Sequence, residues 1–193
     1  MIEIAGLSGN LGSIRRAFGR LGVEYRLVSS ERELSGKYPI VLPGVGAFGA
    51  VMDAIRGAGL EKGLKKAIAS GVPFLGICVG LQLLFDESEE SPGVPGLSII
   101  SGKVVKFMKG KVPQIGWNRI TAKSGSGYPD GHAYFVNSYY AKPDDGSVTL
   151  YSANYEGEFC AAIQKDNITA FQFHPEKSLE FGEMLLRRWL GAL

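Results

Sequence analysis

Short apolar runs alternate with helical periodicity in the first half of the chain. Residues 2–5 are apolar and end at a Gly-rich turn, after which Leu11, Ile14, Phe18 and Leu21 recur at helical spacing. Strands are also predicted at residues 24–28, 38–42 and 74–77, and helices at residues 47–56 and 60–70. This βαβα order predicts a parallel sheet with helices on both faces.

The second half contains short strand patterns separated by turn signals such as Asp130-Gly131 and Asp145-Gly146. Strands are predicted at residues 104–107, 115–120, 134–140, 148–152, 159–164 and 168–173, and a helix at residues 178–190 with Ser178 as candidate N-cap. Residues 86–95 are acidic and then rich in Pro and Gly, which predicts an exposed loop. We expect the extra strands to extend the sheet or to cover one face as antiparallel hairpins.

The expected fold is therefore a single α/β domain spanning residues 1–193. Its central sheet would be mostly parallel, with helices on both faces and additional antiparallel strands in the second half. The composition, 45% hydrophobic and 21% charged, excludes disorder and collagen. A net charge of +2 gives no reason to expect nucleic acid or an anionic membrane as partner. No apolar run reaches the ~20 residues that a bilayer requires, and no basic leader precedes the first strand, so we expect a cytoplasmic protein.

The chain has 27 Gly but only two Cys and two His. The Gly content is twice the usual share and predicts many tight turns or close backbone approaches. The Cys and His spacings match neither a disulfide framework nor a structural zinc site. We therefore expect no metal and no other cofactor, and any cysteine chemistry to be that of a thiol.

Cys78 lies in Gly76-Ile77-Cys78-Val79-Gly80, between an apolar strand and a helical segment, as a nucleophile elbow requires. The turn is sharp, so side chains two residues before and after the nucleophile would clash. The helix that follows would direct N–H groups at the sulfur, and the Val79 amide would face a developing oxyanion. On this pentapeptide alone, a small buried hydrophobe explains Cys78 equally well. Cys160 lies in an alternating strand with no special turn, and we interpret it as buried packing.

A thiol nucleophile normally works with a His that a third group orients. His132 lies in a polar turn and is most simply an exposed loop residue. His174 follows the last apolar strand, so it should emerge at the same sheet edge as Cys78. Pro175 keeps His174 extended, and Glu176 could accept a hydrogen bond from the imidazole. A surface His with a solvated Glu is the alternative, but it explains neither the Pro nor the strand-end position.

Two Gly-containing loops are further candidates. Residues 43–48 also leave the carboxyl end of a strand, where they could supply a second oxyanion donor or be merely a tight turn. Residues 6–13 are similar to a phosphate-binding loop but lack its Lys and the third Gly of the dinucleotide fingerprint, so nucleotide binding has little support.

Together these residues resemble a class I glutamine amidotransferase. The matching segments are residues 76–82 (GICVGLQ) and residues 173–178 (FHPEKS). More narrowly, residues 42–48 (LPGVGAF), 113–118 (PQIGWN), 134–140 (YFVNSYY) and 172–178 (QFHPEKS) resemble the glutaminase subunits of imidazole glycerol phosphate synthases. The resemblance covers essentially the whole chain.

The resemblance implies that Cys78 attacks the side-chain amide of L-glutamine, releasing ammonia and leaving a glutamyl thioester that water hydrolyses to glutamate. His174 would be the general base and acid, and Glu176 would orient it. The implied oxyanion donors are the amides of Val45 and Val79. The implied glutamine-binding residues are Gly44, Gln82, Ser138 and Tyr139.

The resemblance also implies a partner. Ammonia would pass through a channel into a (β/α)8-barrel synthase subunit of a heterodimer that makes imidazole glycerol phosphate and AICAR in histidine biosynthesis. The implied partner-facing residues are Asn10, Trp117, Asn118 and Lys177. A core aromatic is the simpler explanation for Trp117, and a solvated charge for Lys177.

Two segments depart from the family pattern. Asn137 stands where the family usually has His, which suggests that the imidazole is not essential to hydrolysis. The first loop reads Ala5-Gly6-Leu7-Ser8-Gly9-Asn10 instead of an Asp-Tyr-Gly-like segment, which puts its partner contacts in doubt more than the chemistry.

Two other functions stay open. A thiol esterase or peptidase of the α/β-hydrolase type shares the elbow, but it normally places its acid between nucleophile and His, whereas Glu176 follows His174. A binding or regulatory module without catalysis is the second alternative, and the presence of Cys78, His174 and Glu176 speaks against it.

Overall fold

The structure is a computed structural model that describes residues 1–6 and 11–192. The described strands are β1 Ile2–Ala5, β2 Tyr25–Val28, β3 Ile40–Gly44, β4 Phe74–Cys78, β5 Glu87–Ser88, β6 Gly102–Lys106, β7 Gln114–Ala122, β8 Gly131–Asn137, β9 Tyr139–Pro143, β10 Thr149–Asn154, β11 Glu158–Lys165 and β12 Ile168–Phe171. The α-helices are α1 Leu11–Arg20, α2 Phe48–Gly57, α3 Leu60–Ala69, α4 Val79–Gln82 and α5 Leu179–Gly191.

The sheet has a parallel half and an antiparallel half. Its main strand order is β2-β1-β3-β4-β12-β11-β10-β7-β8. The first five strands in this order are parallel, and the pairs from β12 to β8 are antiparallel. The predicted α/β fold with antiparallel strands in the second half is thus confirmed.

The parallel half brings three strand ends to one edge. β1, β3, β4 and β12 are buried along their whole length, as expected of parallel strands covered on both faces. In the register, Gly44 at the end of β3 lies beside Cys78 at the end of β4, and Phe171 at the end of β12 lies beside Ile77. The segments that follow β3, β4 and β12 therefore leave the sheet side by side.

The segment expected as one strand, residues 134–140, is two strands separated at Ser138. β8 pairs with β7, whereas β9 pairs with β6 and β11. The Ser138 carbonyl instead accepts a hydrogen bond from the Phe107 N–H at 3.0 Å. The chain therefore changes its partner strands at Ser138. This change brings Ser138 and Tyr139 to the edge of the sheet where β4 ends.

The C-terminal helix begins where the sequence predicted but is not capped as predicted. The Ser178 side chain makes no capping hydrogen bond to α5. Its buried hydroxyl donates to the His174 carbonyl at 2.7 Å and accepts from the Tyr134 N–H at 2.9 Å. Ser178 therefore ties the segment after β12 to β8. Further along α5, Trp189 packs edge to face on Phe18 of α1, with ring centroids 6.3 Å apart.

The acidic segment 86–95 is only partly the exposed loop that we expected. Ser88 is buried in the two-residue strand β5. Glu90 Oε2 accepts from the Phe48 N–H at 2.7 Å, and Ser91 Oγ accepts from the Gly49 N–H at 2.9 Å. Because Ala47 at the start of α2 has no polar side chain, this loop satisfies the first N–H groups of that helix.

Candidate active site

Cys78 occupies a strained turn between β4 and α4. Its φ is 56° and its ψ is −110°, a backbone conformation that residues other than Gly rarely adopt. Holding a residue in such a conformation costs about 1–3 kcal/mol of folding free energy. A Cβ on Gly80 would lie 1.9 Å from the Leu42 carbonyl oxygen, and one on Gly76 would lie 2.7 Å from the Gly80 oxygen. The predicted clash of any side chain at Gly76 or Gly80 is thus confirmed.

His174 and Glu176 lie next to Cys78, as the sequence indicated. The His174 N–H donates to the Tyr134 carbonyl at 2.9 Å, which fixes the backbone after β12. The imidazole Nδ1 is 2.8 Å from Glu176 Oε1, and the ring lies close enough to the Cys78 side chain for the two groups to interact. Both the His174 and the Glu176 side chains are almost completely buried. Because Nδ1 contacts the carboxylate, Nε2 is the nitrogen that faces the thiol.

The pKa of His174 is raised to about 9. Burial alone would lower it, but the hydrogen bonds to Cys78 and Glu176 and the attraction of both groups for the positive ring outweigh burial. The imidazole therefore holds its proton at neutral pH. Cysteines act as nucleophiles in the thiolate form, and a neighbouring cation is the kind of environment in which reactive cysteines are found.

A cavity of about 360 Å³ opens over the sulfur. Cys78, His174, Val45 and Val79 all line it. Gly44 lies behind this wall, where a Cβ would be 2.8 Å from the Val79 Cβ. Because Gly44 has no side chain, the two oxyanion candidates, Val45 and Val79, can lie close to each other. Gly44 thus shapes the site through its small size.

The predicted glutamine-binding residues Gln82, Ser138 and Tyr139 line the same cavity. Gln82 Nε2 donates to the Tyr139 carbonyl at 3.1 Å, and Asn137 Nδ2 donates to the same oxygen at 3.0 Å. Asn137 also lines the cavity. The Gln82 bond joins α4 to the start of β9, and the Asn137 bond closes the turn between β8 and β9. Residues from both halves of the sheet therefore line the cavity.

Glu90 lines the cavity, and the sequence did not identify it. Its carboxylate accepts a hydrogen bond from the Phe48 N–H, and the residue lines the same cavity as Cys78. It lies in an acidic run, where a pocket carboxylate is not distinguishable from its solvated neighbours by residue type. Only the packing of the loop against α2 separates Glu90 from them.

The predicted partner-facing residues have different surroundings. Asn10 lies outside the described residues. Trp117 is 50% exposed, so the simpler explanation of a core aromatic is wrong; its ring meets the Tyr134 ring edge to face at 5.9 Å. Lys177 is exposed and borders the cavity. The Asn118 side chain is engaged within the chain, donating to the Asn154 carbonyl at 2.9 Å.

His132 and Cys160 lie away from this cavity. His132 is exposed as expected, but it belongs to β8, opposite Arg119, and not to a loop. Cys160 is buried in β11, where burial raises the pKa of its thiol to about 11. Of the loop at residues 6–13, residues 7–10 lie outside the described part of the chain.

The described residues offer neither a metal site nor a membrane-spanning helix. They contain no group of three or more His, Cys, Asp or Glu side chains placed to hold a metal ion. None of the helices at residues 1–6 and 11–192 has the length and apolar character needed to cross a membrane.

Comparison with known protein families identifies the family of this chain. The profile of glutamine amidotransferase class-I matches residues 7–190. The chain belongs to the class-I glutamine amidotransferases. It is 44% identical over 191 residues to the imidazole glycerol phosphate synthase subunit HisH of Rhodopirellula baltica, covering 95% of this chain and 93% of the relative. The HisH subunit of Methanothermobacter thermautotrophicus is 46% identical, with 96% and 95% covered.

The resemblance expected from the sequence motifs is thus confirmed, for the amidotransferase family and for its HisH subunits. Solved structures share the fold. A crystal structure described as a glutamine amidotransferase superposes with a TM-score of 0.81 at 22% identity, covering 98% of this chain and 97% of that one. The PurLQS structure from Thermotoga maritima gives 0.79 at 16% identity, with 99% and 97% covered. Family membership favours the amidotransferase hypothesis over the esterase or peptidase one.

Proposed function

We propose that the chain hydrolyses L-glutamine to L-glutamate and ammonia through a thioester on Cys78, and that it passes the ammonia to a synthase subunit. The observation that carries the proposal is the contact of Cys78, on its strained elbow, with a buried imidazole that Glu176 holds. Membership of a family of glutamine amidotransferases supports the choice of glutamine as substrate.

The geometry supports a two-stage reaction. The Cys78 thiolate attacks the amide carbon, and the amides of Val45 and Val79, two residues that line the cavity, would donate to the resulting oxyanion. His174, protonated at neutral pH, gives its proton to the leaving nitrogen, so that ammonia departs and the thioester remains. Neutral His174 then takes a proton from the attacking water. Collapse of the second intermediate restores the thiolate and releases the acid, which loses its proton to solvent.

The cavity also has the polarity that an amino acid requires. The Glu90 carboxylate borders it and would attract an α-ammonium group. Gln82 and the Ser138-Tyr139 turn border the same space and offer polar contacts to the rest of the substrate. A volume of about 360 Å³ suits a ligand of this size. Glu176 is the positioning residue, because its contact with Nδ1 leaves Nε2 facing the sulfur.

The relatives are named as subunits of imidazole glycerol phosphate synthase. We therefore infer that the ammonia acceptor is the barrel-shaped synthase subunit of a cytoplasmic heterodimer, which forms imidazole glycerol phosphate and AICAR. Exposed Trp117 and Lys177 would belong to the contact surface. No cofactor is needed for the hydrolysis itself, because thiol, imidazole, carboxylate and water account for every proton and bond.

The test is release of glutamate and ammonia from glutamine, measured with the subunit alone and with a coexpressed barrel synthase. We expect one glutamate per ammonia, labelling of Cys78 by an electrophilic glutamine analogue, and copurification of the two subunits. Glutamate release that persists in a Cys78→Ala protein would exclude the thioester route. Turnover of simple esters without turnover of glutamine would support the esterase alternative instead.

A further inference from the structure

Gln172 is a completely buried amide immediately behind the nucleophile. It directly follows β12, where successive side chains point to opposite sides of the extended backbone. Phe171 and Phe173 lie on one side, with their rings stacked and the centroids 4.9 Å apart. Alternation places Gln172 and His174 on the opposite side, toward Cys78. The Gln172 N–H donates to the Ala161 carbonyl at 2.9 Å, so its backbone is fixed by β11. A polar side chain at this depth needs partners, and both of its partners belong to the candidate active site.

The hydrogen bonds around Gln172 determine which way its amide points. Gln82 Nε2 donates to the Tyr139 carbonyl, which can only accept, so the nitrogen of Gln82 must lie on this side. The same nitrogen donates to Gln172 Oε1 at 3.0 Å. The Gln172 nitrogen is thereby directed away from Gln82, and Nε2 lies 3.9 Å from the Cys78 sulfur, to which it donates. Reversing the amide would bring two N–H groups together and would leave the sulfur without this donor.

We propose that Gln172 is a positioning residue for glutamine hydrolysis, linking the nucleophile to the substrate wall. Its N–H stabilises negative charge on the Cys78 sulfur, and its carbonyl holds Gln82 in the orientation in which Gln82 borders the cavity. The inference rests on the proposed function for its kinetic consequence, but the contact with the sulfur is independent of the substrate.

The two contacts have separable consequences. Loss of the N–H removes one of the groups that stabilise charge on the sulfur, which makes the thiol a poorer nucleophile toward any electrophile. Loss of the carbonyl frees one side of the Gln82 amide, which weakens glutamine binding without changing reactions of small reagents. A side chain that merely filled space would affect neither property once its volume was replaced.

Two variants separate these effects. Gln172→Met has nearly the shape of Gln but neither donates nor accepts. We expect it to slow alkylation of Cys78 by iodoacetamide at pH 7.5 by roughly tenfold, to lower kcat by a similar factor, and to raise KM for glutamine. Gln172→Glu keeps an acceptor for Gln82 but loses the amide donor. Because it also introduces an acidic group near the sulfur, it should slow alkylation and lower kcat at least as much as Gln172→Met, while KM stays near that of the unmodified protein.

Thr169→Val is the matched control, because Thr169 is also buried and lies in β12, shortly before Gln172, but borders neither the cavity nor the sulfur. It should leave the alkylation rate, kcat and KM unchanged. Site-resolved mass spectrometry separates Cys78 from Cys160, and near-ultraviolet circular dichroism shows whether each variant is folded.

Folded Gln172 variants that react with iodoacetamide as fast as the unmodified protein would overturn the inference, as would an equal loss in the Thr169→Val control. A change in KM alone would also overturn it, because the contact with the sulfur would then have no effect. Since alkylation needs no glutamine, failure of the proposed function is detected separately, as absence of glutamate release from the unmodified protein.

Discussion

Cys78 and Cys160 are the same residue in two different regions of one sheet. Both are buried, at 5% and 8% exposure, so burial does not distinguish them. Cys160 lies within β11, where the Thr149 hydroxyl donates to its sulfur at 3.7 Å and the sulfur contacts the Ala162 carbonyl at 3.4 Å. Cys78 instead ends a parallel strand on a positive φ, beside His174.

The difference indicates that the nucleophilic role proposed for Cys78 depends on the backbone conformation of the elbow and on the neighbouring imidazole of His174. In β11, burial raises the pKa of Cys160 to about 11, which keeps its thiol neutral and unreactive. At the end of β4, the turn places the sulfur at an edge where the segment after β12 delivers a protonated imidazole. The carboxyl ends of parallel strands lie at one edge of the sheet, so side chains from distant parts of the sequence can meet there. A residue inside an antiparallel strand contacts mainly the strands on either side of it.

The largest expected effect is that substitution of Cys78 abolishes glutaminase activity, whereas substitution of Cys160 does not. Cys78→Ala should lower glutamate release by about 10³-fold or more, because the covalent intermediate cannot form. Cys160→Ala should stay within about twofold, because it removes only a small apolar contact. Initial rates of glutamate release from equal amounts of folded protein measure both. A comparable loss in the two variants would mean that the contrast between the regions is wrong.

A smaller but still large effect is expected where the elbow is most tightly packed. Gly80→Ala would bring a Cβ within 1.9 Å of the Leu42 oxygen, which is backbone and must move. We expect a loss of about 3 kcal/mol in the free energy of unfolding, together with lower glutaminase activity. Urea denaturation monitored by circular dichroism measures the stability.

Gly19→Ala is the control for the Gly80 substitution. Gly19 lies in helix α1, and a Cβ there would meet no atom within 4 Å. Alanine should stabilise the helix by about 0.5–1 kcal/mol. If Gly80→Ala were tolerated as well as Gly19→Ala, close packing would not be what shapes the elbow.

The elbow and the His-Pro-Glu segment could be predicted because their physical requirements fall on residue type. Gly76 and Gly80 are required because any side chain at these positions would clash. The positions at strand ends follow from the alternation of apolar runs with helical segments. Glu90 and Gln172 could not be found in this way. Glu90 differs from its acidic neighbours only through the packing of its loop on α2. Gln172 interrupts an apolar run, and the direction of its amide depends on Gln82, 90 positions earlier.

The break at Ser138 has a similar explanation. The apolar and aromatic pattern across residues 134–140 is continuous, so the pattern predicts one strand. The break depends on β8 and β9 having different partner strands, which is a long-range property of the fold. Exposure of a side chain is also a property of the whole fold. The residue type of Trp117 favours the core, but the side chain is 50% exposed, as the proposed contact with a partner requires.

An intermediate effect is expected on pH dependence. The pKa of His174 lies above its ordinary value, at about 9, so its proton is available at neutral pH and is lost as pH rises through about 9. Glutamine hydrolysis should therefore decline above about pH 9. Folding stability follows the same direction: the contribution of the charged imidazole is complete below about pH 6.5 and disappears as pH passes about 9.

Glu176→Gln sharpens this prediction by removing one of the groups that raise the pKa of His174. The alkaline decline should move to lower pH, and kcat should fall by about 10–100-fold at pH 8. Profiles of kcat against pH for the two proteins measure the shift. Glu183→Gln, on the exposed face of α5, is the control and should leave the profile in place. An unchanged decline in Glu176→Gln would show that the carboxylate does not support the charged ring.

The smallest expected effect compares Gly and Ala at the two cysteine positions. Cys78 has a φ of 56°, which Gly adopts without strain, so Cys78→Gly should be about 1 kcal/mol more stable than Cys78→Ala. Cys160 lies in strand β11 and does not have a positive φ, so the order should reverse, with Cys160→Gly about 0.5–1 kcal/mol less stable than Cys160→Ala. Both members of each pair lack the thiol, so its loss cancels, and urea unfolding of the four proteins measures only the backbone preference. The same order at both positions would contradict the strain assigned to the elbow, and opposite orders would locate that strain at the nucleophile.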